Sequence, residues 1–311
     1  MLSLVHLKTF LAVTKMGNFT RAAHELCLTQ PAVSGHISAL EEELGVSLFN
    51  RTGKKVVLTD AGRLVAQEGA ELLDRVNQLR SALADLSDLH GGTVRIGASK
   101  IIGVYMLPKV ITAFREQYPD VELQLSIHSA RTIVNQVEEN HYDLAVVGEG
   151  EKIQSNNIGV KAIGEDELIL VASPSHPVFA QAQITAASIF NEPFVLSGDD
   201  TASLQNIKTQ LRELGIHLKS TIKIGEAGAI KRAVEEGAGL AILSRAVVER
   251  ELTEGRLKEV PLEHHFTRGI LMLWRQDRRF SKATDAFMRV LKATLAMQNH
   301  TAATTRVDAE A

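Results

Sequence analysis

Cysteine is nearly absent from this 311-residue chain, Cys27 being the single one. An intramolecular disulfide is thereby excluded, and with it a two-cysteine redox switch. Lying between two short helical patterns, Cys27 reads as a small buried apolar residue. Long hydrophobic runs are missing too, so no stretch offers the ~20 apolar residues of a membrane span. The segment from Met1 to Lys8 lacks the charged, apolar and small-residue regions of a secretory signal, so the expected location is the cytoplasm, with no membrane partner. Enzyme motifs are lacking as well: there is no nucleophile elbow, no Gly-x-x-x-x-Gly-Lys loop and no His-Glu-x-x-His. His264 and His265 are adjacent, point to opposite sides of a strand and cannot chelate by spacing. No catalytic residue, metal or cofactor is therefore expected. A cationic excess is missing, since 34 Lys and Arg stand against 37 Asp and Glu, a net charge of -3. The whole chain is not a basic coat for nucleic acid.

The segment from Phe19 to Leu44 is the most informative part of what is present. Phe19, Ala22, Ala23 and Leu26 fall on one face of a helix. Asn18 stands at the N-cap position of that helix and Thr29 at that of the next. Pro31 follows Thr29 in the first turn, where its missing N–H costs nothing. The second helix would bury Val33, Ile37, Leu40 and Leu44, leaving Gln30, Ser34, Gly35, His36 and Ser38 outward. Short side chains at Ser34 and Gly35 admit base edges, and Gln30, Ser34 and His36 can hydrogen-bond to them. Any small helix pair with a polar outer face would show the same spacing. Phe49 to Thr59 then reads as a hairpin turning at Gly53, with Arg51, Lys54 and Lys55 at its tip. Such a wing would hold phosphates, positioning the head without reading sequence. Residues 1–59 hold six Lys and Arg against four Glu, a local balance of +2.

From Leu4 to Leu58 the chain resembles the LysR-type transcriptional regulators. The resemblance rests on Phe10 and Val13, Asn18 to Ala23, Leu28 to Glu41, Leu44-Gly45, Leu48 to Arg51 and Leu58 to Gly62. It implies that Gln30, Pro31, Ser34 and His36 face bases and that Arg51 and Lys54 reach backbone or minor groove. Thr20, Arg21, Gly35 and Lys55 complete the expected DNA-contacting set. Many members carry Lys or Arg where this chain has Gly35 and Ser38, so discrimination is expected from the helix and much of the grip from the wing.

Asp60 to Leu89 contains no proline and reads as one helix. Val65, Leu72, Leu79 and Leu86 recur every seven residues, as do Gly69, Val76 and Leu83, the seam of a coiled coil. A long helix lying on its own domain would carry the same pattern, but no adjacent helix of similar length is evident to cover it. A homodimer is expected, reading a pseudo-palindrome with two heads. His90-Gly91-Gly92 ends the helix.

Beyond Gly92, strands alternate with helices, predicting α/β lobes with mostly parallel sheets. Strands are expected at Thr93–Ala98, Val121–Ile127, Leu144–Val147, Glu167–Ala172, Phe194–Leu196, Ser220–Ile224 and Leu240–Leu243. Two sheets fit better than one, the chain leaving the first near Gly148 to Gly164 and returning near His264 to Gly269. This layout resembles the periplasmic-binding-protein-like effector domain of the same family. Ligands of open α/β sheets bind beyond the carboxyl ends of strands, which gives Ser99, Lys100, Ser129, Arg131, Ser197 and Glu226 as candidate effector residues. Hydroxyls and helix starts favour anions, and Lys100 and Arg131 add charge, so the expected effector is a small anionic metabolite; the serines could equally be ordinary N-caps. Gly97 to Pro108 is similar to the corresponding segment in regulators of carbon-dioxide fixation and sulfur assimilation, although many of those carry Thr at the position of Lys100 or Ile101.

The whole predicts an α+β chain in four parts: a winged helix-turn-helix over 1–59, a dimerisation helix over 60–90, an effector domain over 91–296 and a disordered tail over 297–311. Within the effector domain, lobe one takes 91–162 and 266–296, and lobe two 163–265. Expected partners are double-stranded promoter DNA, the effector, a second copy through the helix and, by the resemblance, a homotetramer, with RNA polymerase a candidate. The competing readings, an enzyme or a transport-type solute-binding protein on the same two lobes, lack respectively a catalytic motif and a signal peptide.

Overall fold

The computed structural model describes residues 2–50, 56–84, 92–189, 192–198, 202–216, 218, 221–262 and 264–307. They form two compact units, divided between Ser87 and Asp88.

The first unit holds helices α1 (Leu4–Met16), α2 (Phe19–Glu25) and α3 (Gln30–Leu44), strands β1 (Phe49–Asn50) and β2 (Val57–Leu58), and helix α4 (Asp60–Ala84). Caps set the boundaries as expected: the Asn18 side chain accepts from the N–H groups of Thr20 at 2.8 Å and Arg21 at 3.0 Å, and Thr29 accepts from Ala32. Gly17 and Gly45 close α1 and α3 with left-handed φ of 60° and 68°, a conformation that costs glycine little. Leu7, Phe10, Val13, Ala22, Ala23, Val33, Ile37, Leu40, Leu48 and Phe49 form one core. Helix α1, which supplies three of these, is an element that the sequence pattern had not singled out. Cys27 contradicts its expected burial. It is exposed and sits at φ 53° in the turn after α2, where the N–H of Leu28 reaches back to the Ala23 carbonyl at 2.9 Å. That left-handed turn directs its side chain outward.

Strands β1 and β2 pair antiparallel, Phe49 opposite Leu58, giving the base of the expected hairpin. Its tip, with Arg51, Gly53, Lys54 and Lys55, lies outside the described residues, as do Leu86 and the His90-Gly91 end of the long helix. Thr59 caps α4 by accepting from the Gly62 N–H at 2.9 Å.

The second unit contains β3 (Thr93–Ser99), a π-helical turn (Ile102–Met106), α5 (Leu107–Gln117), β4 (Glu122–His128), α6 (Ala130–Glu138), β5 (Leu144–Gly148) and β6 (Ile158–Ala172). There follow a 3-10 turn (Pro177–Ala180), α7 (Ala186–Ile189), β7 (Phe194–Ser197), α8 (Ala202–Glu213), β8 (Thr221–Ile224), α9 (Ala227–Glu235), β9 (Ala241–Ser244), α10 (Arg245–Thr253), β10 (Lys258–Glu259), β11 (Phe266–Arg275) and α11 (Lys282–Val307). In lobe one, β3 runs parallel to β4 and β5. Leu144 and Val146 face a core shared with Phe114 and Phe287, while Ala145 and Val147 face Ile133 and Val137 of α6. Burial on both faces explains the unbroken apolar run of β5. Lobe two repeats the plan with β7 parallel to β8 and cores on both faces of β6.

The crossing between lobes differs from expectation. Strand β6 is 15 residues long and runs through both lobes, paired antiparallel with β11 from Ile158 to Leu168 and then with β9 and β10. One seven-stranded sheet therefore spans the lobes, beside the two-stranded β7–β8 sheet. The first half of β6 carries Gly159, Lys161, Gly164, Glu165 and Asp166, so it shows no apolar alternation. Antiparallel pairing with β11, rather than its own pattern, makes it a strand. The expected disordered tail is corrected in part: α11 continues to Val307, and 308–311 lie outside the described residues.

Candidate functional site

On α3, Gln30 and Ser34 share one face a turn apart, Gln30 Nε2 donating to Ser34 Oγ at 3.0 Å. Having accepted that bond, the Ser34 hydroxyl still has its proton to donate. Thr20, Arg21, Pro31 and Gly35 are exposed, and a Cβ built on Gly35 meets nothing within 4 Å. His36 is placed differently from expectation. Its Nδ1 lies 3.0 Å from Thr9 Oγ1, and its ring packs at 4.9 Å from that of His6. The Thr9 hydroxyl donates to the Val5 carbonyl, so it accepts from His36 Nδ1–H. The reason is angular: His36 stands beside Val33, Ile37 and Leu40 on the flank of α3 that packs on α1.

In the second unit, parallel register sets Ser99 opposite His128 and Ala98 opposite Val146. Ser99, Lys100, Ser129 and Gly148 thus share the carboxyl edge of lobe one. The π turn begins two residues after Lys100; such insertions recur at functional sites. It sends Tyr105 across to lobe two, where its hydroxyl would lie 3.8 Å from a Cβ at Gly228 and its ring 5.8 Å from Lys231 Nζ. Gly228 is in the first turn of α9, whose N-cap is Glu226. Ser197 ends β7 beside Ile224. Ser129 caps α6, accepting from the Thr132 N–H at 3.2 Å. Arg131 shares a face of α6 with Val134, Asn135 and Glu138, and with Glu151, Lys152 and Ser155 they line a groove of about 330 Å³.

Sequence reasoning missed the polar residues between the lobes. Asp166 on β6 is 2% exposed; it accepts from Ser244 Oγ at 2.6 Å and pairs with Arg268 on β11. Arg245 pairs with Glu167 and Glu259, each at 2.7 Å. A charged residue inside an otherwise apolar strand such as β11 was the only signal available. Among the described residues no group of three or more His, Cys, Asp and Glu could hold a metal, and no helix is long and apolar enough to cross a membrane. His264 Nε2 lies 3.1 Å from Gln210 Oε1.

Two family models cover the chain: the LysR substrate binding domain matches residues 87–296 and the bacterial regulatory helix-turn-helix protein of the lysR family matches residues 4–63. The chain belongs to the LysR family of transcriptional regulators. Among its relatives, the "Probable RuBisCO transcriptional regulator" of Synechocystis sp. is 34% identical over 293 residues, covering 92% of this chain and 85% of that protein. The protein of the same name from Porphyra purpurea is 34% identical over 290 residues, covering 92% of each. The fold is similar to that of a full-length OxyR variant from Pseudomonas aeruginosa, with a TM-score of 0.68, 21% identity and 95% of each chain covered. It is also similar to full-length CbnR in complex with its target DNA, with a TM-score of 0.66, 18% identity and coverage of 94% of this chain and 100% of that one. This LysR-family chain is thus a regulator rather than an enzyme, with a helix-turn-helix head and a two-lobed α/β effector domain.

Proposed function

We propose that this LysR-family regulator binds promoter DNA by sequence through α3 and answers to a small anionic metabolite held between its lobes. The single observation that carries the reading is the head: a capped α3 presents Gln30, Ser34 and Gly35 outward, while its other faces are committed to the core and to α1. Thr20, Arg21 and Pro31 border that face, and Arg51, Lys54 and Lys55 serve as phosphate contacts. His36 supports α3 from behind, and the base-reading set is Gln30, Pro31, Ser34 and Gly35. The similarity to regulators named for RuBisCO supports promoters of carbon-fixation genes as targets.

The anionic effector is supported by the carboxyl edge, where Ser99 and Lys100 lie, with Ser197 and Glu226 at the strand ends and helix start of lobe two. Glu226 would select against excess negative charge or take a hydroxyl or amine. The layout is that of a periplasmic-binding-like cleft. Helix α4 serves as the dimerisation element in a cytoplasmic homodimer, and two such dimers form a tetramer. The proposed parts stand at 1–59, 60–90 and 91–296. Effector binding favours one arrangement of the lobes and so shifts the population of DNA-bound states. Binding of purified protein to RuBisCO promoter fragments, against shuffled DNA at matched salt, tests the reading. Selective retention is expected; equal affinity for both sequences would sink it.

A further inference from the structure

The carboxyl edges of the two lobes meet at one carboxylate. Ser244 ends β9 in lobe two and donates to Asp166 Oδ1 at 2.6 Å. Arg268 pairs with Asp166 Oδ2 and lies flat against Gly148, the last residue of β5 in lobe one. A Cβ at position 148 would stand 3.0 Å from Arg268 Nε and 3.2 Å from Cζ, so glycine there lets the guanidinium approach the β5 backbone closely. Because Ala98 pairs with Val146, Gly148 is level with Lys100. Arg268 is therefore a cation at the floor of the same edge that carries Ser99 and Lys100, and its side chain stays 14% exposed. A guanidinium offers five donors in a planar fork suited to carboxylate and phosphate, and Asp166 is one of its partners.

We infer that Arg268 is the anchor for the effector's anionic group, kept in position by Asp166 and passed from that carboxylate to the carboxylate or phosphate of the ligand. This inference rests on the anionic effector proposed above. Exchange of partners also reaches lobe two. Asp166 holds Ser244 at the start of α10, so a ligand that draws Arg268 away alters what fixes that helix to β6. Both lobes then feel one ligand through one carboxylate.

The test is thermal melting of the full chain in rising inorganic phosphate, and separately succinate, at ionic strength held constant with sodium chloride. Ligand that binds the folded state raises Tm in proportion to occupancy. The wild type should show saturable stabilisation by at least one of these anions. Arg268→Ala should lose it, and Arg268→Lys should keep the fold but need at least tenfold more anion. Asp166→Asn should need several-fold less, because a buried competing carboxylate is gone; a residue that only holds the sheet together would not tighten binding when neutralised. Stabilisation of Arg268→Ala and Arg268→Lys equal to wild type overturns the inference and leaves the anionic effector standing. Unchanged or weaker anion binding by Asp166→Asn overturns the exchange. A wild type that responds to neither anion overturns the anionic effector, and this inference with it.

Discussion

Ser34 and His36 stand two residues apart on α3 and serve different surfaces. Ser34 carries a donor proton beside Gln30, whereas His36 is turned onto Thr9 and His6. Ser34→Ala should therefore cost about 0.5–1.5 kcal/mol of discrimination between the operator and a base-substituted operator, the worth of one hydrogen bond, read from paired binding isotherms; unchanged discrimination would remove Ser34 from the base-reading set. His36→Ala should lower the stability of the head by about 1 kcal/mol, the worth of one hydrogen bond, while preserving the rank order of DNA sequences. Lys54→Ala should weaken binding to all sequences alike and reduce the salt slope by about 1. At this scale the caps were legible because Asn18 and Thr29 act within three residues of themselves. His36 and Cys27 were not. Which flank a side chain takes depends on where α1 packs and on a left-handed turn, and neither leaves a periodic trace.

Among the elements, α4 shows how a heptad pattern divides between two tasks. A Cβ on Gly69 would lie 2.6 Å from Leu7 Cδ1, and Val65, Ala66 and Leu73 pack on the core of their own head. Part of the expected seam is thus covered by α1, the shorter helix that the sequence pattern passed over. The other side remains bare: Leu64 is 60%, Leu72 45% and Leu79 60% exposed. Burying each leucine between two copies would contribute about 1.5–3 kcal/mol, so Leu72→Asp with Leu79→Asp should halve the solution mass by sedimentation without loss of helix. An unchanged mass would place the dimer contact elsewhere. Between α9 and α10, Glu251 is almost fully buried, with Lys231 at 2.9 Å and Arg256 at 3.1 Å. Burial pushes its carboxyl pKa up, but the Lys231 hydrogen bond and both cations outweigh it, leaving the value below the ordinary one. A depressed folded-state value means that the stabilisation is complete above the ordinary carboxylate range and vanishes as pH falls through the folded value. Glu251→Gln should cost roughly 1.5–3 kcal/mol at neutral pH and flatten the loss of stability on acidification below about pH 5, measured by denaturant titration across pH. The alternating elements of the effector half were readable because each carries its own apolar period. The long strand β6 was not, since its first half is polar and owes its conformation to β11.

In the whole molecule a helix-turn-helix head and a two-lobed effector domain share one chain. Asp166 and Ser244, both buried, and the partly exposed Arg268 give the lobes a common point for the proposed anion to act on. The decisive measurement is footprinting of the wild-type regulator on RuBisCO promoter DNA, across the phosphate and succinate series that defines occupancy by melting. The protected region or its bend-dependent cleavage sites should change in step with occupancy. A footprint identical from zero to saturating anion would contradict it.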